Sequence, residues 1–327
     1  MNKSSEVFIS ILTPSWNRLE FLQTLIDSLI NQSYKNFEWV IGNDGSTDGT
    51  NEFLLKNLKK FDFKTNYICS NVRIGKSKID NLLLDNARGK YLIWCDADDY
   101  LKPDALEKIV DIITNENKKS SDIIGVIGQN LDTNGKSQTF GSGAMPPQDG
   151  VYYFKELENH LIGDGTICVK RSLFHNKRWP EVDFLITESV LLRELYNDKK
   201  FFFTNDVLKI MDRTAENSIS FGSKMQYCRG SAYAIEGTTS IAKFNRLSLY
   251  KKFKNLLNYF RYCIHGDIKF FQAIHLWKVV RANKFLILMF PLSMLIAYFD
   301  ILRNKVEKTH IDFEKNSSKA EIKIQNF

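Results

Sequence analysis

The 327-residue sequence predicts an α/β protein: a mostly parallel sheet flanked by helices, with a helical region added at its C-terminal side. Over the first 130 residues, short apolar runs alternate with stretches whose apolar residues recur at helical spacing. Polar loops close three of those runs, and in such sheets ligands bind beyond the carboxyl ends of the strands. After about Ser223 the chain turns basic and aromatic, with helical spacing up to a last apolar run. The hydrophobic content of 43% is enough to bury a core in one large domain or two. The expected organisation is a nucleotide-binding-like α/β domain over 1–222, a basic, partly apolar helical region over 223–306, and a polar tail over 307–327.

Val7 to Thr13 reads as the first buried strand, with Pro14-Ser15-Trp16-Asn17-Arg18 as the loop after it. Leu19, Leu22, Leu25, Ile26, Leu29 and Ile30 then mark a helix. Phe37 to Gly42 is a second strand, after which Ser46, Thr47 or Asp48 can cap a helix running to about Lys60. Asn66 to Cys69 is a short third strand. Ile79, Leu82, Leu83 and Ala87 mark the next helix, with Gly89 as its expected C-terminal stop. The apolar run Tyr91 to Cys95 is a strand, Pro103 opens a helix to about Thr114, and Ile123 to Ile127 is a fifth strand. From Leu131 to Gly150 the composition is that of a long loop able to fold over a substrate. Gly165 to Lys170 (strand), Glu188 to Tyr196 (helix) and Phe201 to Ile210 (strands) follow, and the tail from Glu307 lacks a core pattern and is expected to be mobile.

Chemistry concentrates at the strand exits. Asp96-Ala97-Asp98-Asp99 places three carboxylates within four residues where a buried strand ends. Crowded carboxylates repel, and a divalent ion held by one or two of them plus substrate phosphates is a common remedy. A solvated acidic turn would look the same. Trp16 offers a flat ring for a nucleobase and Arg18 a cation for phosphate, unless the ring caps the core and the arginine is solvated. Asp44 can accept from a base N–H, though Asp-Gly pairs are common in turns. Gly75-Lys76-Ser77 resembles the end of a Walker A loop, but Ser70 stands where that motif needs glycine. No GxGxxG follows a strand, and no His/Cys cluster has zinc spacing.

The segments Ile11 to Arg18, Asn43 to Asp48, Asn71 with Gly75-Lys76, Gly89-Lys90-Tyr91 and Asp96 to Asp99 together resemble a family 2 glycosyltransferase of GT-A (Rossmann-like) fold. Beyond Ile127 the resemblance rests on Thr187-Glu188 and Asn217-Ser218-Ile219-Ser220. It implies inverting transfer from a nucleotide-diphosphate sugar with Mn²⁺ or Mg²⁺. Pro14, Trp16 and Asp44 would then hold the base, usually uracil, while Asp96 would reach the ribose and Lys76 the donor. Asp98 would be the chief metal ligand, with Asp99 beside it. The family's usual Glu-Asp pair reads Glu188-Ser189 here, so Glu188 is the candidate general base, with Asp183 or Asp164 as substitutes. A Glu at a helix start is also favoured by the helix dipole alone.

Net charge is +7, and from Lys243 to Lys284 ten basic residues are opposed only by Asp267. That stretch predicts an acidic partner, an anionic membrane face before nucleic acid, for which no recognition motif is present. Phe285 to Phe299 would extend only about 22 Å as a helix against a hydrocarbon core of roughly 30 Å. Lying in the interface, or entering part way within 285–302, is the expectation. Five scattered cysteines and no visible signal peptide predict a cytoplasmic protein, peripheral on the cytoplasmic face of the membrane. The expected activity is transfer to a glycan or lipid-linked acceptor in surface polysaccharide biosynthesis. The alternatives are a sugar-nucleotide nucleotidyltransferase, and a catalytically degenerate relative that binds nucleotide sugar or glycan.

Overall fold

The computed structural model describes residues 8–119, 121–140, 145–157, 164–182, 184–214, 228–238, 244–245, 247–282, 284–302 and 320–327. They form β1 (Ile9–Ser15), α1 (Leu19–Ile30), β2 (Phe37–Asp44), α2 (Thr50–Asn57), β3 (Lys64–Ser70), α3 (Lys76–Asn86), β4 (Tyr91–Trp94), β5 (Asp99–Leu101) and α4 (Ala105–Lys118). Then come β6 (Ile123–Asp132), β7 (Gly150–Tyr153), α5 (Phe154–Leu157), β8 (Thr166–Lys170), α6 (Ser189–Tyr196) and β9 (Lys200–Met211). The helices α7 (Cys228–Thr238), α8 (Leu249–His265), α9 (Phe270–Leu276), α10 (Lys278–Ala282) and α11 (Phe290–Leu302) follow, and β10 (Ile322–Asn326) ends the chain.

The strands form one sheet in the order β10-β3-β2-β1-β4-β8-β6-β9-β5, with β7 also paired to β9. The β3-β2-β1-β4 block is parallel, so four consecutive strands end on one edge. The other half is mixed: β8 runs antiparallel to β4 and β6, and β5 and β7 run antiparallel to β9. The predicted strands within Phe201 to Ile210 are a single strand. The register in the parallel block is continuous, Ile11 facing Trp39 and Ile93. Those side chains and Leu22, Leu25 and Ile109 are fully buried, which is the helical spacing of α1 and α4 delivered onto the sheet.

Three local expectations change. Gly89 does not stop α3, which ends at Asn86. A Cβ on Gly89 would lie 2.4 Å from the Ser10 amide, so the glycine serves the close approach of the β4 entry to β1. Buried Glu38 completes that junction, accepting from Ser10 Oγ (2.5 Å), the Arg88 amide (2.6 Å) and the Gly89 amide (3.2 Å). Asp48 does more than cap one helix: its carboxylate accepts from the Thr50 amide at 3.1 Å and the Leu19 amide at 2.9 Å, joining the starts of α2 and α1. The end of the expected tail is strand β10, antiparallel to β3, with Ile322 opposite Ser70 and Asn326 opposite Asn66. Its alternating Ile322-Lys323-Ile324-Gln325 is a strand pattern too short to read without its partner.

The chain divides into two compact units. The first is Met1–Arg178, Leu195–Glu216 and Asn316–Phe327; the second is Trp179–Glu194 and Asn217–Lys315. The tail end thus groups with the sheet, and 179–194 with the helical unit. The second unit has its own core, in which the Tyr259 and Trp277 rings pack tilted at 50° with centroids 4.8 Å apart. Among the described residues no helix is long and apolar enough to cross a membrane.

Candidate active site

Parallel pairing puts the carboxyl ends of β1, β2, β3 and β4 side by side, and the loops leaving them are stitched together by polar contacts. The β1 loop joins the β2 loop through the Asn17 amide on Ser46 Oγ (2.9 Å) and the Thr47 amide on Asn17 Oδ1 (2.8 Å). Asn17 takes a positive φ of 49° to do this, a conformation asparagine tolerates better than most residues. The β2 loop joins the β3 loop through Asp44, whose Oδ1 accepts from the Ile74 amide at 2.6 Å and whose Oδ2 accepts from the Gly75 amide at 3.1 Å. The β3 loop joins the β4 loop through Lys76 and Asp96 at 3.3 Å. Arg18 Nε, 3.0 Å from Asp98 Oδ2, closes the ring back to β1. Five of the residues singled out in the sequence (Arg18, Asp44, Lys76, Asp96 and Asp98) therefore belong to one connected set.

The glycines here are required by shape. Gly45 has φ +68°, and a Cβ on it would fall 2.3 Å from the Val72 carbonyl carbon, so the β2 and β3 loops touch backbone to backbone. Gly75 has φ +96° and leads into α3, which begins at Lys76. This orients Lys76 so that its ammonium also reaches Asp80 at 3.4 Å, one turn on.

Electrostatics differ among the four carboxylates. Burial pushes Asp44 up to about 6, against the pull of the Ile74 and Gly75 amides and of Arg73 and Lys76. Asp98 is also raised, first by burial and then by the charge of Asp96, with Arg18 opposing. For Asp96 burial opposes ionisation, but the ammoniums of Lys76 and Lys209 outweigh it and hold the carboxyl below its usual range. Asp99 is different in kind. It lies in β5, is 4% exposed, and its Oδ2 accepts from Lys209 Nζ at 2.6 Å. A buried lysine facing Asp99, Cys95 and Asp96 is held protonated despite the cost of burial. Asp99 is thus committed to a buried ion pair, which leaves Asp96 and Asp98 as the two carboxylates of the ring.

Two residues that sequence reasoning passes over complete the site. Arg73 lays its guanidinium 3.5 Å from the centroid of the Trp16 ring, so the predicted flat surface is one wall of an aromatic–cation pair. Its signal in the sequence is slight: a basic residue two before the positive-φ Gly75. Lys209 has none, because it comes from a strand 110 residues beyond Asp99. Pro14 is the next-to-last residue of β1, in register with Gly42 of β2, close to the strand exit.

Glu188 belongs to the second unit and precedes α6 directly. Its carbonyl accepts from Trp179 Nε1 at 3.3 Å and from the Leu191 and Leu192 amides, both at 3.2 Å. This backbone position is that of a helix-start residue, as the dipole argument expects. Asp164 is largely exposed with Arg213 at 3.8 Å. Asp183 and the Asn217 to Ser220 segment lie outside the described residues.

Comparison with known proteins gives one consistent picture. A "GalNAc(5)-diNAcBac-PP-undecaprenol beta-1,3-glucosyltransferase" of Campylobacter jejuni is 28% identical over 218 residues, 66% of this chain and 68% of that one. A putative teichuronic acid biosynthesis glycosyltransferase, TuaG, of Bacillus subtilis is 31% identical over 178 residues, 53% of this chain and 66% of that one. Among solved structures, S. aureus TarS 1-349 in complex with UDP-GlcNAc superposes with a TM-score of 0.56 at 17% identity, covering 87% of this chain and 82% of that one. The mannosyltransferase PcManGT from Pyrobaculum calidifontis, in complex with GDP-Man and Mn²⁺, does so with a TM-score of 0.50 at 14% identity, covering 91% and 88%. These likenesses establish the GT-A fold. The model of the glycosyl transferase family 2 matches residues 10–176, which hold the whole ring of strand-end contacts, and the chain belongs to that family.

Proposed function

We propose that the chain transfers a sugar from a nucleotide-diphosphate sugar, in the first instance a UDP-sugar, to a glycan or lipid-linked acceptor by inverting displacement with Mn²⁺ or Mg²⁺. The observation that carries this is the closed ring of Arg18, Asp44, Lys76, Asp96 and Asp98 around four parallel strand ends. The undecaprenol-linked acceptor named for the Campylobacter relative and the teichuronic acid biosynthesis named for the Bacillus one support a setting in surface polysaccharide assembly.

The residues fit a divalent ion of the substrate-bridging kind. Asp96 and Asp98 lie near enough that the charge of one raises the pKa of the other. Among the described residues no group of three or more His, Cys, Asp or Glu forms a complete cage. An octahedral ion bound through one or two carboxylates and diphosphate oxygens needs no such cage. Asp98 would hold it with Asp96, and it would supply Lewis-acid neutralisation of the leaving diphosphate. Asp99 ties β5 to β9 through Lys209.

The chain's own groups do the rest. Trp16, with Arg73 stacked on one face of it, offers a flat surface on which the base can lie, and Asp44 fixes the 71–75 loop that carries Arg73. Lys76 and Arg18 bring positive charge to the phosphates. Glu188 takes the proton of the acceptor hydroxyl as its oxygen bonds to the anomeric carbon and the bond to the diphosphate breaks. The basic, apolar second unit supports a place on the cytoplasmic face of an anionic membrane.

Thermal-shift titration with UDP-sugars and GDP-mannose, with and without Mn²⁺, tests the reading. A raised melting temperature for a UDP-sugar, larger with Mn²⁺, is expected, followed by UDP release and an inverted anomeric configuration by NMR. No shift with any nucleotide sugar would overturn it.

A further inference from the structure

Helix α11 is built inside out. Its buried stripe is Ser293, Ala297 and Asp300, whereas Leu292, Met294, Leu295, Tyr298, Phe299, Ile301 and Leu302 are between 40% and 59% exposed. An ordinary surface helix does the reverse, turning its apolar stripe to the core. The inward polar residues are fully used. Asp300 accepts from Arg261 Nε at 2.5 Å and Nη2 at 2.6 Å, and pairs with His265 Nε2 at 3.1 Å, while Ser293 Oγ donates to the Met289 carbonyl at 3.0 Å. The helix is thus fixed to α8 by a buried, bidentate ion pair that holds its apolar side outward. At its start, Phe290 packs on Phe270 with ring centroids 4.5 Å apart and on Phe260 at 5.5 Å. Phe270 is flanked by exposed Lys269 and by Phe271, which is 77% exposed.

We infer that the outward face of α11 is a membrane-docking surface that lies flat in the headgroup region of an anionic bilayer, a reading that deepens the membrane-side placement proposed above. Thirteen residues make a helix of about 20 Å, too short for a hydrocarbon core of roughly 30 Å and suited to lying in the interface. Charge selects the occupant. From Lys243 to Leu302 the sequence has ten basic residues and two acids, and one acid, Asp300, is spent on Arg261 and His265. Lys251, Lys254, Lys269 and Lys278 are exposed, and Leu249, Tyr250 and Phe253 are exposed at the start of α8. Lysines interleaved with exposed aromatic and aliphatic side chains match anionic headgroups over acyl chains. A two-fold dimer through the same face would set that cationic surface against its own copy, which like charges oppose.

Flotation of the full chain with vesicles tests this apart from catalysis. With phosphatidylglycerol–phosphatidylcholine vesicles the protein is expected to float, and with phosphatidylcholine alone to float far less. Leu295→Gln/Phe299→Gln keeps helix propensity and touches only half-exposed positions, so the fold survives. It should lower partitioning about tenfold or more. Lys251→Gln/Lys254→Gln should lower it about fivefold per lysine on anionic vesicles. Absence of flotation on anionic vesicles, or equal flotation by the Leu295/Phe299 variant, overturns the inference. So does a concentration-dependent dimer that this variant abolishes. Melting-point shifts with UDP-sugar are read on the same samples without lipid; their loss with flotation intact would count against the donor reading alone.

Discussion

Asp98 stands between opposed charges: Asp96 disfavours its ionised form and Arg18 favours it. A divalent ion on the same carboxylate would act with Arg18, so Asp98→Asn should cut metal-dependent turnover by about 100-fold or more, as several kcal/mol of charge stabilisation implies. Steady-state rates against Mn²⁺ concentration, with circular dichroism as the fold control, check this; wild-type rates would remove Asp98 from the site. Glu188→Gln should lower kcat by roughly 10²–10⁴ while the donor-induced melting shift stays unchanged. A variant that lost donor affinity alone would place the base elsewhere. Asp44 gives a pH prediction. Its folded pKa, about 6, exceeds the 3.8 of an exposed aspartate, so the folded state holds the proton longer than the unfolded one. Stability from this group is present below about 4 and is lost as pH rises to about 6, by about 3 kcal/mol at most. Asp44→Asn removes the titration, so denaturation midpoints of variant and wild type should diverge in the variant's favour across that window. A flat difference curve would mean Asp44 is ionised as readily as a surface carboxylate.

At the scale of elements, the short strand β5 is held by β9 through Asp99 opposite Met211 and Leu101 opposite Lys209, and by the buried Asp99–Lys209 pair. Lys209→Met should destabilise the chain by about 3–5 kcal/mol, because it leaves a buried carboxylate unpaired. Lys209→Met/Asp99→Leu should regain most of that, since removing both charges can be nearly neutral. Urea denaturation of the two variants separates an ion pair from simple packing. The α/β alternation from β1 to α4 was legible because each element meets the sheet with its own apolar period. Antiparallel β8 between β4 and β6 was not legible, because strand direction depends on where the chain returns from and leaves no periodic trace.

In the whole molecule, the first unit is assembled from three separate stretches, and its outer strand comes from the end of the chain. β10 covers the edge of β3, with Thr65 and Phe327 exchanging amide–carbonyl bonds at 3.0 and 2.8 Å. Deleting residues 320–327 should bare that edge, lower the melting temperature and raise concentration-dependent aggregation, read by light scattering. An unchanged melting temperature and clear solutions would show β10 to be a passive addition. The second unit holds Glu188 and the inside-out helix α11. Its basic, apolar character stood in the composition, but the outward aim of that apolar side did not.

The order of strands and helices, the polar loops at their ends and the residue types gathered in those loops were set by the sequence alone, because these are local: hydrophobic period, glycine placement and charge spacing act within a dozen residues. The tertiary structure decided which partner each charged or aromatic group meets. Asp99 is closed by a lysine 110 positions away, Trp16 has Arg73 stacked on one face, and Asp300 turns α11 outward through Arg261. Each depends on a partner that no local pattern names, since burial and Coulombic pairing are fixed only when distant segments meet.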